Sequence, residues 1–316
     1  MRNLVVLGLV TLLMACWSPQ AWAKSATLTF SVTGTGPWTV SVNMNNDAAA
    51  AAVQLVIRYD SSKLSTTGSV SKTTRTTDMG IVDGNVPTAG ELRIAIMDTD
   101  SPTPDVIAAG SGAIVSTTFS GTADVLYFTV DGVEKTAVFD DNGDAFNLVT
   151  YSYNLSTGSS EKRGESKDIA SGTTGDVEFL DGSDTSGGVT IDLTTWPGGD
   201  VTVERKDDPV PGSYSGFTLL NLSWEIETTA TGNFKMDITF NYTPALPLPA
   251  GMSEDELMIF HYDESAGTLK KVIEYTGVTL TRDTVANTIT VHNWTGPLSP
   301  FGPGGLSPPT PVTLSR

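Results

Sequence analysis

The stretch "AVQLVIRYDSSKL", residues 52–64, combines an alternating strand pattern with a tight polar turn. Side chains of a β-strand alternate between two faces, so Leu55, Ile57 and Tyr59 share the apolar face. The Asp-Ser-Ser sequence that follows favours a turn, because an Asp carboxylate can accept hydrogen bonds from backbone groups two residues on. This stretch therefore predicts a core strand whose opposite face carries Gln54, Val56 and Arg58.

The same period-two alternation recurs along most of the chain. It is visible in "ATLTFSV" (26–32), "VLYFTV" (125–130) and "FKMDITFNY" (234–242), and helical periodicity is nearly absent. Clusters of Gly, Asn, Asp and Ser separate these segments, as is typical of short antiparallel strands joined by turns. The pattern predicts an all-β protein with two β-sandwich domains of immunoglobulin-like architecture.

The first residues have the features of a signal peptide. Arg2 precedes an apolar run, and "AWA" places small residues where a signal peptidase cleaves, which predicts a signal peptide over 1–23 and a mature start at Lys24. The alternative is "LMAC", residues 13–16, which resembles a lipobox whose Cys16 would carry a lipid anchor. Either cleavage predicts a protein that is secreted or held at the cell surface.

The remaining domain boundaries follow from composition. Residues 156–176 are rich in Gly, Ser and charge and have no apolar period, which predicts a linker, or a long loop at a domain boundary. The predicted organisation is a first sandwich over 24–160, a linker over 161–176, a second sandwich over 177–302 and a flexible tail over 303–316.

The composition restricts the class of partner. The net charge of −18 disfavours nucleic acid and anionic membranes as ligands, and it favours calcium as the one ion worth considering. Cys16 is the only cysteine, so a chain cleaved after it has no disulfide. No second apolar run predicts a transmembrane segment, and no other cofactor is indicated.

Three segments of the first half, in this order, resemble the cohesin family. They are "VQLVIRYDSSKL" (53–64), "GELRIAIMD" (90–98) followed by "GSGAIVSTTFS" (110–120), and "VFDDNGDAFNLVTYSYNLSTGS" (138–159). The resemblance covers about residues 26–160. It implies a nine-stranded jelly roll without catalytic activity, close in fold to carbohydrate-binding modules.

The same resemblance implies a partner and a binding surface. Cohesins bind dockerin modules and so assemble polysaccharide-degrading complexes on bacterial surfaces. The sheet face that meets the dockerin would carry Gln54, Val56 and Arg58 here, joined by Arg93 from the neighbouring strand. The second half is faintly similar to an accessory sandwich module of bacterial surface proteins, from which no activity follows.

Catalytic motifs are absent from the sequence. His261 and His292 are the only histidines, and both fall in strand patterns, where we expect them half-exposed. There is no H-E-x-x-H motif and no G-x-S-x-G nucleophile elbow. We therefore expect the protein not to be an enzyme.

Two acidic loops are candidates for structural calcium, because calcium prefers clustered oxygen ligands. The candidate ligands are Asp98, Asp100, Asp105, Asp140, Asn142 and Asp144. The second loop begins like an EF-hand but has Ala145 where the glycine is needed and Tyr151 where the closing acid is needed. An Asx-rich hairpin turn is the simpler interpretation.

Two tryptophans could form a sugar platform, since carbohydrate rings stack on exposed aromatic faces. Trp38 and Trp196 both lie at loop edges, whereas Trp224 alternates with apolar neighbours and is expected in the core. Three hypotheses follow: a scaffold that docks a dockerin-type protein, a carbohydrate-binding protein, and a structural subunit of a surface or filament that associates with itself.

Overall fold

The computed structural model describes residues 23–99, 105–130, 135–181, 187–298 and 300–307. Residues 1–22, which include Cys16 and all but the last residue of the predicted signal peptide, lie outside the described residues. Within the described part of the chain, no helix has the length and apolar character needed to cross a membrane.

The prediction of an all-β protein is confirmed. The first eleven strands are β1 (Ser25–Thr33), β2 (Trp38–Asn46), β3 (Ala52–Arg58), β4 (Leu64–Ser65), β5 (Val70–Lys72), β6 (Ile81–Thr88), β7 (Glu91–Met97), β8 (Gly110–Gly121), β9 (Val125–Phe128), β10 (Ala137–Phe139) and β11 (Asn147–Asn154). The others are β12 (Ser160–Ile169), β13 (Gly175–Phe179), β14 (Val189–Thr195), β15 (Gly199–Lys206), β16 (Phe217–Leu219), β17 (Ser223–Thr228), β18 (Lys235–Asn241), β19 (Met258–Asp263), β20 (Thr268–Lys271), β21 (Thr279–Asp283), β22 (Thr288–Trp294) and β23 (Phe301–Leu306). Short 3-10 helices span Thr243–Ala245, Glu254–Glu256 and Val272–Glu274.

The first half is a sandwich of two sheets around one apolar core. One sheet has the order β5–β8–β2–β1–β11, in which only β1 and β11 run parallel. The other sheet has the order β6–β7–β3, and β9 and β10 both pair with the far side of β3. Leu55 and Ile57 of β3 are fully buried between the sheets, as the opening stretch predicts.

The second half is a sandwich with a separate apolar core. Its outer sheet has the order β13–β14–β18–β22–β21. Its other sheet runs from β12 through β15, β17, β23 and β19 to β20. Trp224 is fully buried there against Phe240, so its predicted place in the core is confirmed.

The predicted linker between the two halves is wrong for most of its length. Residues 160–169 form β12, which pairs with β11 of the first half on one side and β15 of the second half on the other. The strand has no apolar alternation in its sequence, because its buried positions include the charged residues Arg163 and Glu165, which pair with other charges. One continuous run of paired strands therefore joins the two sandwiches.

The prediction of a flexible tail from residue 303 is wrong for residues 303–306. Strand β23 continues to Leu306 and pairs with β16 and β19, and Gly304 and Gly305 within it are buried. Glycines fit here because an added Cβ would come within 2.6 Å of Met252 at Gly305 and 2.9 Å of Phe260 at Gly304. The rest of the predicted tail, from residue 308, lies outside the described residues.

Candidate docking face

Strand β3 carries the predicted binding residues on its outward side. Antiparallel pairing with β7 places Arg58 opposite Glu91, Val56 opposite Arg93 and Gln54 opposite Ala95. Directly opposite residues in a sheet share a face. Gln54, Val56, Arg58 and Arg93 therefore lie on one side of the sheet, as the sequence predicts.

Val56 does not line this surface as an accessible residue, because it is fully buried. Its backbone N–H donates to the Thr136 hydroxyl at 2.9 Å, and its carbonyl accepts from the Thr129 N–H at 3.0 Å. These bonds hold the chain at Thr129 and Thr136 against β3. The prediction that Val56 is an accessible contact residue is wrong for this reason.

A buried carboxylate fixes the two arginines of the face. Glu91 is only 3% exposed although it points outward, and it forms ion pairs with both Arg58 and Arg93. A carboxylate shared by two guanidiniums is a charge-assisted arrangement with little freedom to rearrange. The arginine side chains keep about a third of their surface exposed, so they present fixed polar groups at the surface.

Gln54 lines a groove that lies over β7, between β3 and β6. Its side-chain amide donates to the Lys135 carbonyl at 2.9 Å, which fixes its orientation. The groove has a volume of about 350 Å³, and its lining residues are Gln54, Ile81, Asp83, Gly84, Asn85, Arg93, Ile94 and Ala95.

Two exposed apolar side chains lie on the same side of the sheet, and neither was predicted as a surface residue from the sequence. Ile81 of β6 and Met97 of β7 are directly opposite each other in the register and are 36% and 37% exposed. The alternation in "ELRIAIM" could have placed Met97 on the outward side with Arg93. Ile81 could not be found from the sequence, because the register of β6 against β7 is not visible in it. We call the outer surface of β3, β7 and β6 the docking face.

The predicted sugar platform does not exist, because neither of its tryptophans is exposed. Trp38 is 7% exposed and belongs to the first core. Trp196 is 3% exposed, donates its ring N–H to the Ile169 carbonyl at 3.1 Å and packs near Phe234. Both side chains belong to the apolar cores of the two halves and are not surface groups.

The carboxylates of the two acidic loops bind their own backbone. Asp98 accepts from the N–H groups of Gly80 and Asp105, at 3.2 and 2.8 Å, while Asp100 lies outside the described residues. Asp140 accepts from the N–H groups of Asn142 and Asp144, both at 2.8 Å, and forms an ion pair with Lys24. In the described ranges, no three acidic, histidine or cysteine side chains are grouped as a metal site requires. The Asp140 contacts match the Asx-rich turn that is the simpler interpretation of the second loop.

The two histidines occupy different environments. His292 is half-exposed, as predicted, and lies between the Asp237 carboxylate at 2.6 Å and the Thr281 hydroxyl at 2.8 Å. His261 is fully buried, so that prediction is wrong: its ring packs against Trp294 and Phe301, and Nδ1 lies 2.7 Å from the Tyr275 hydroxyl. Burial lowers the pKa of His261 to about 4.

The comparisons with known proteins yield similar structures only. No family model matches the chain, and no curated protein matches it. The sixth cohesin from scaffoldin B of Acetivibrio cellulolyticus, solved in complex with a Cel5 dockerin mutant, is similar at 16% identity, over 42% of this chain and 99% of that chain, with a TM-score of 0.34. The seventh type I cohesin of ScaB from Pseudobacteroides cellulosolvens is similar at 15% identity, over 39% of this chain and 84% of that chain, with a TM-score of 0.31.

A third similar structure is the second type II cohesin module from the ScaA scaffoldin of Acetivibrio cellulolyticus. Its identity is 18%, it covers 40% of this chain and 91% of that chain, and the TM-score is 0.31. These structures belong to the family that the sequence of the first half resembles, and each matches about two-fifths of this chain.

Proposed function

We propose that this protein is a non-catalytic scaffold component outside the cytoplasm, and that its first half docks a dockerin-type protein through the docking face. The observation that carries the proposal is the pair of exposed apolar side chains, Ile81 and Met97, directly opposite each other on an open sheet. Single exposed apolar residues are normal on protein surfaces, whereas a contiguous group beside fixed polar residues is typical of an interaction site.

The chemistry of the docking face suits a protein partner better than a small ligand. The arginines Arg58 and Arg93 are already paired with Glu91, so the face presents ordered polar side chains beside its exposed apolar pair. Methionine and arginine are enriched at protein interfaces, where an apolar centre is bordered by polar groups that exclude water. The apolar centre here is Met97 with Ile81.

The sequence resemblance names the class of partner to test. One of the similar cohesins, from scaffoldin B of Acetivibrio cellulolyticus, was solved with a dockerin bound. A panel of calcium-loaded dockerin modules is therefore the direct probe. Biolayer interferometry with the full mature chain would measure binding with calcium and again with EDTA, which unfolds dockerins.

The variants should separate the docking face from other surfaces. Met97→Glu and Ile81→Glu each place a charge in the apolar centre, and we expect either to weaken binding by at least about tenfold. Val285→Glu is the matched control, because Val285 is 94% exposed and lies in the turn between β21 and β22, in the second half. A complex that Met97→Glu leaves intact would show that the partner uses another surface, and failure of the whole panel to bind with calcium present would refute the proposed function.

A further inference from the structure

A polar cavity lies where the two halves meet. It has a volume of about 530 Å³, within the range of roughly 300–1,000 Å³ found for small-molecule sites. Its walls come from both halves: Val125, Ser152, Asn154, Ser159, Glu161, Arg205, Asp207 and Pro244. Ligand sites occur preferentially at such junctions, because side chains from two domains can converge on one volume.

Two buried guanidiniums orient the acidic groups of this cavity. Arg205 donates to the Glu161 carboxylate at 2.7 Å, and Arg163 donates to the Asp207 carboxylate at 2.8 Å. The arginine side chains are 4% and 5% exposed, while Glu161 and Asp207 are 56% and 55% exposed. Arg163 is held further by stacking on the Tyr127 ring at 3.9 Å. The carboxylates are thus fixed at the mouth, in positions set by buried partners.

The charge balance of the cluster indicates a neutral ligand. Each exposed carboxylate is paired with a buried arginine, so the negative charge that would attract a metal ion is already balanced. An anionic ligand would meet Glu161 and Asp207 at the mouth before it could reach either guanidinium. A ligand with many hydroxyl groups suits these residues, because carboxylate oxygens accept hydrogen bonds and remain oriented while they do so.

The other walls fit the same class of ligand. The Ser159 hydroxyl and the Asn154 side-chain amide line the cavity, whereas the buried Ser152 hydroxyl is bonded to the Glu161 carbonyl. Val125 and Pro244 add apolar patches of the kind that the C–H face of a sugar ring contacts. We propose that this cavity binds one or two units of a neutral carbohydrate. The site is independent of the docking face and of the two buried tryptophans.

Ligand-observed NMR by saturation transfer on the full mature chain would test the site. The probes are cellobiose, xylobiose, mannobiose and maltose, with glucuronic acid and glucose 6-phosphate as charged comparisons. We expect at least one neutral disaccharide to bind with a dissociation constant of about 1 mM or below. Binding of the charged sugars alone, or of none of the probes at about 10 mM, would overturn the proposal.

Variants should locate the signal in the cavity. Ser159→Phe fills the mouth and should abolish the signal, whereas its neighbour Ser160→Phe, exposed but not part of the lining, should leave it unchanged. Glu161→Gln keeps the shape but removes the charge-assisted acceptor and should weaken binding by about tenfold or more. Unchanged binding in both Ser159→Phe and Glu161→Gln would refute the site, and thermal melts would show that each variant is folded.

Discussion

The two halves share a sandwich architecture but differ in the outer faces of their sheets. The docking face of the first half leaves Ile81 and Met97 exposed beside one another. On the outer face of the second half, the side chains bind one another: the Thr239 and Thr290 hydroxyls are 2.9 Å apart, and His292 is bonded on both sides. Covering exposed apolar surface is favourable, so this difference makes the first half the better candidate for docking a protein.

The cores differ as well. The first core is mainly aliphatic, with one parallel ring stack between Phe30 and Phe128 at 4.3 Å. The second core contains a continuous aromatic cluster in which Trp294, Phe301 and His261 contact one another. Between them lies β12, which pairs with strands of both halves. The two halves thus differ in their outer faces and in their cores, although β12 joins their strands by continuous backbone pairing.

The largest expected effect tests whether the two halves, joined through β12, unfold together in one cooperative transition. Trp224→Ala removes a fully buried ring that packs on Phe240, and Leu55→Ala removes a fully buried side chain of the first core. We expect losses of roughly 3–5 and 2–5 kcal/mol in the free energy of unfolding. Because β12 is shared, calorimetry should show a single transition that both variants lower. Two transitions, each sensitive to one variant only, would show that the halves unfold independently.

The buried histidine should make the second half sensitive to acid. The pKa of His261 is lowered by burial to about 4 in the folded protein, against about 6.5 in the unfolded chain. Between these values the unfolded state binds more protons, so stability is full above pH 6.5 and falls as the pH decreases towards 4. The expected loss from this group is about 3 kcal/mol.

Urea unfolding of the wild type and His261→Phe from pH 4 to pH 7 would measure this loss. Other carboxylates titrate in the same range, so the quantity of interest is the difference between the two slopes. The variant should lose less stability on acidification. Parallel curves for the two proteins would show that His261 is not the responsible group.

Much of this architecture could be predicted from the sequence, because strand alternation is a local signal. Leu55 and Ile57 follow from their spacing alone, and so does Trp224. His261 could not be predicted as buried, since its environment is formed by Tyr275 and Trp294, which are distant in sequence. The cavity at the junction could not be predicted for a related reason. Strand β12 is charged, and the buried Arg163 side chain is paired with Asp207, which is distant in sequence.

A smaller effect is expected at the contact between the halves. Glu204 of β15 is fully buried and accepts hydrogen bonds from the Thr129 hydroxyl and the Val130 N–H, at 2.9 and 2.8 Å. Glu204→Gln keeps an acceptor but removes the charge, and we expect a loss of roughly 1–3 kcal/mol in the free energy of unfolding. A double-mutant cycle with Thr129→Val, measured by urea unfolding, would isolate the contact. A coupling energy of zero would mean that this contact does not hold the halves together.

The smallest effect concerns the self-bonded outer face of the second half. Burial raises the pKa of Asp237, but hydrogen bonds from the Asn293 N–H and from His292 outweigh it, so the pKa is lowered overall. This carboxylate stabilises the fold above its unfolded pKa of about 3.9, and the contribution is lost as the pH falls. Because the side chains are about a third exposed, Asp237→Asn should cost roughly 0.5 kcal/mol at pH 7 by urea unfolding.

The Asp237→Asn variant also serves as the control for binding at the docking face. Asp237→Asn should leave the proposed docking of a dockerin-type partner unchanged, whereas Met97→Glu should weaken it with little change in stability, since Met97 is 37% exposed. The two variants therefore separate stability from docking, one on each face. If Asp237→Asn weakened docking and Met97→Glu did not, the partner would bind the second half, and the exposed apolar pair would need another explanation.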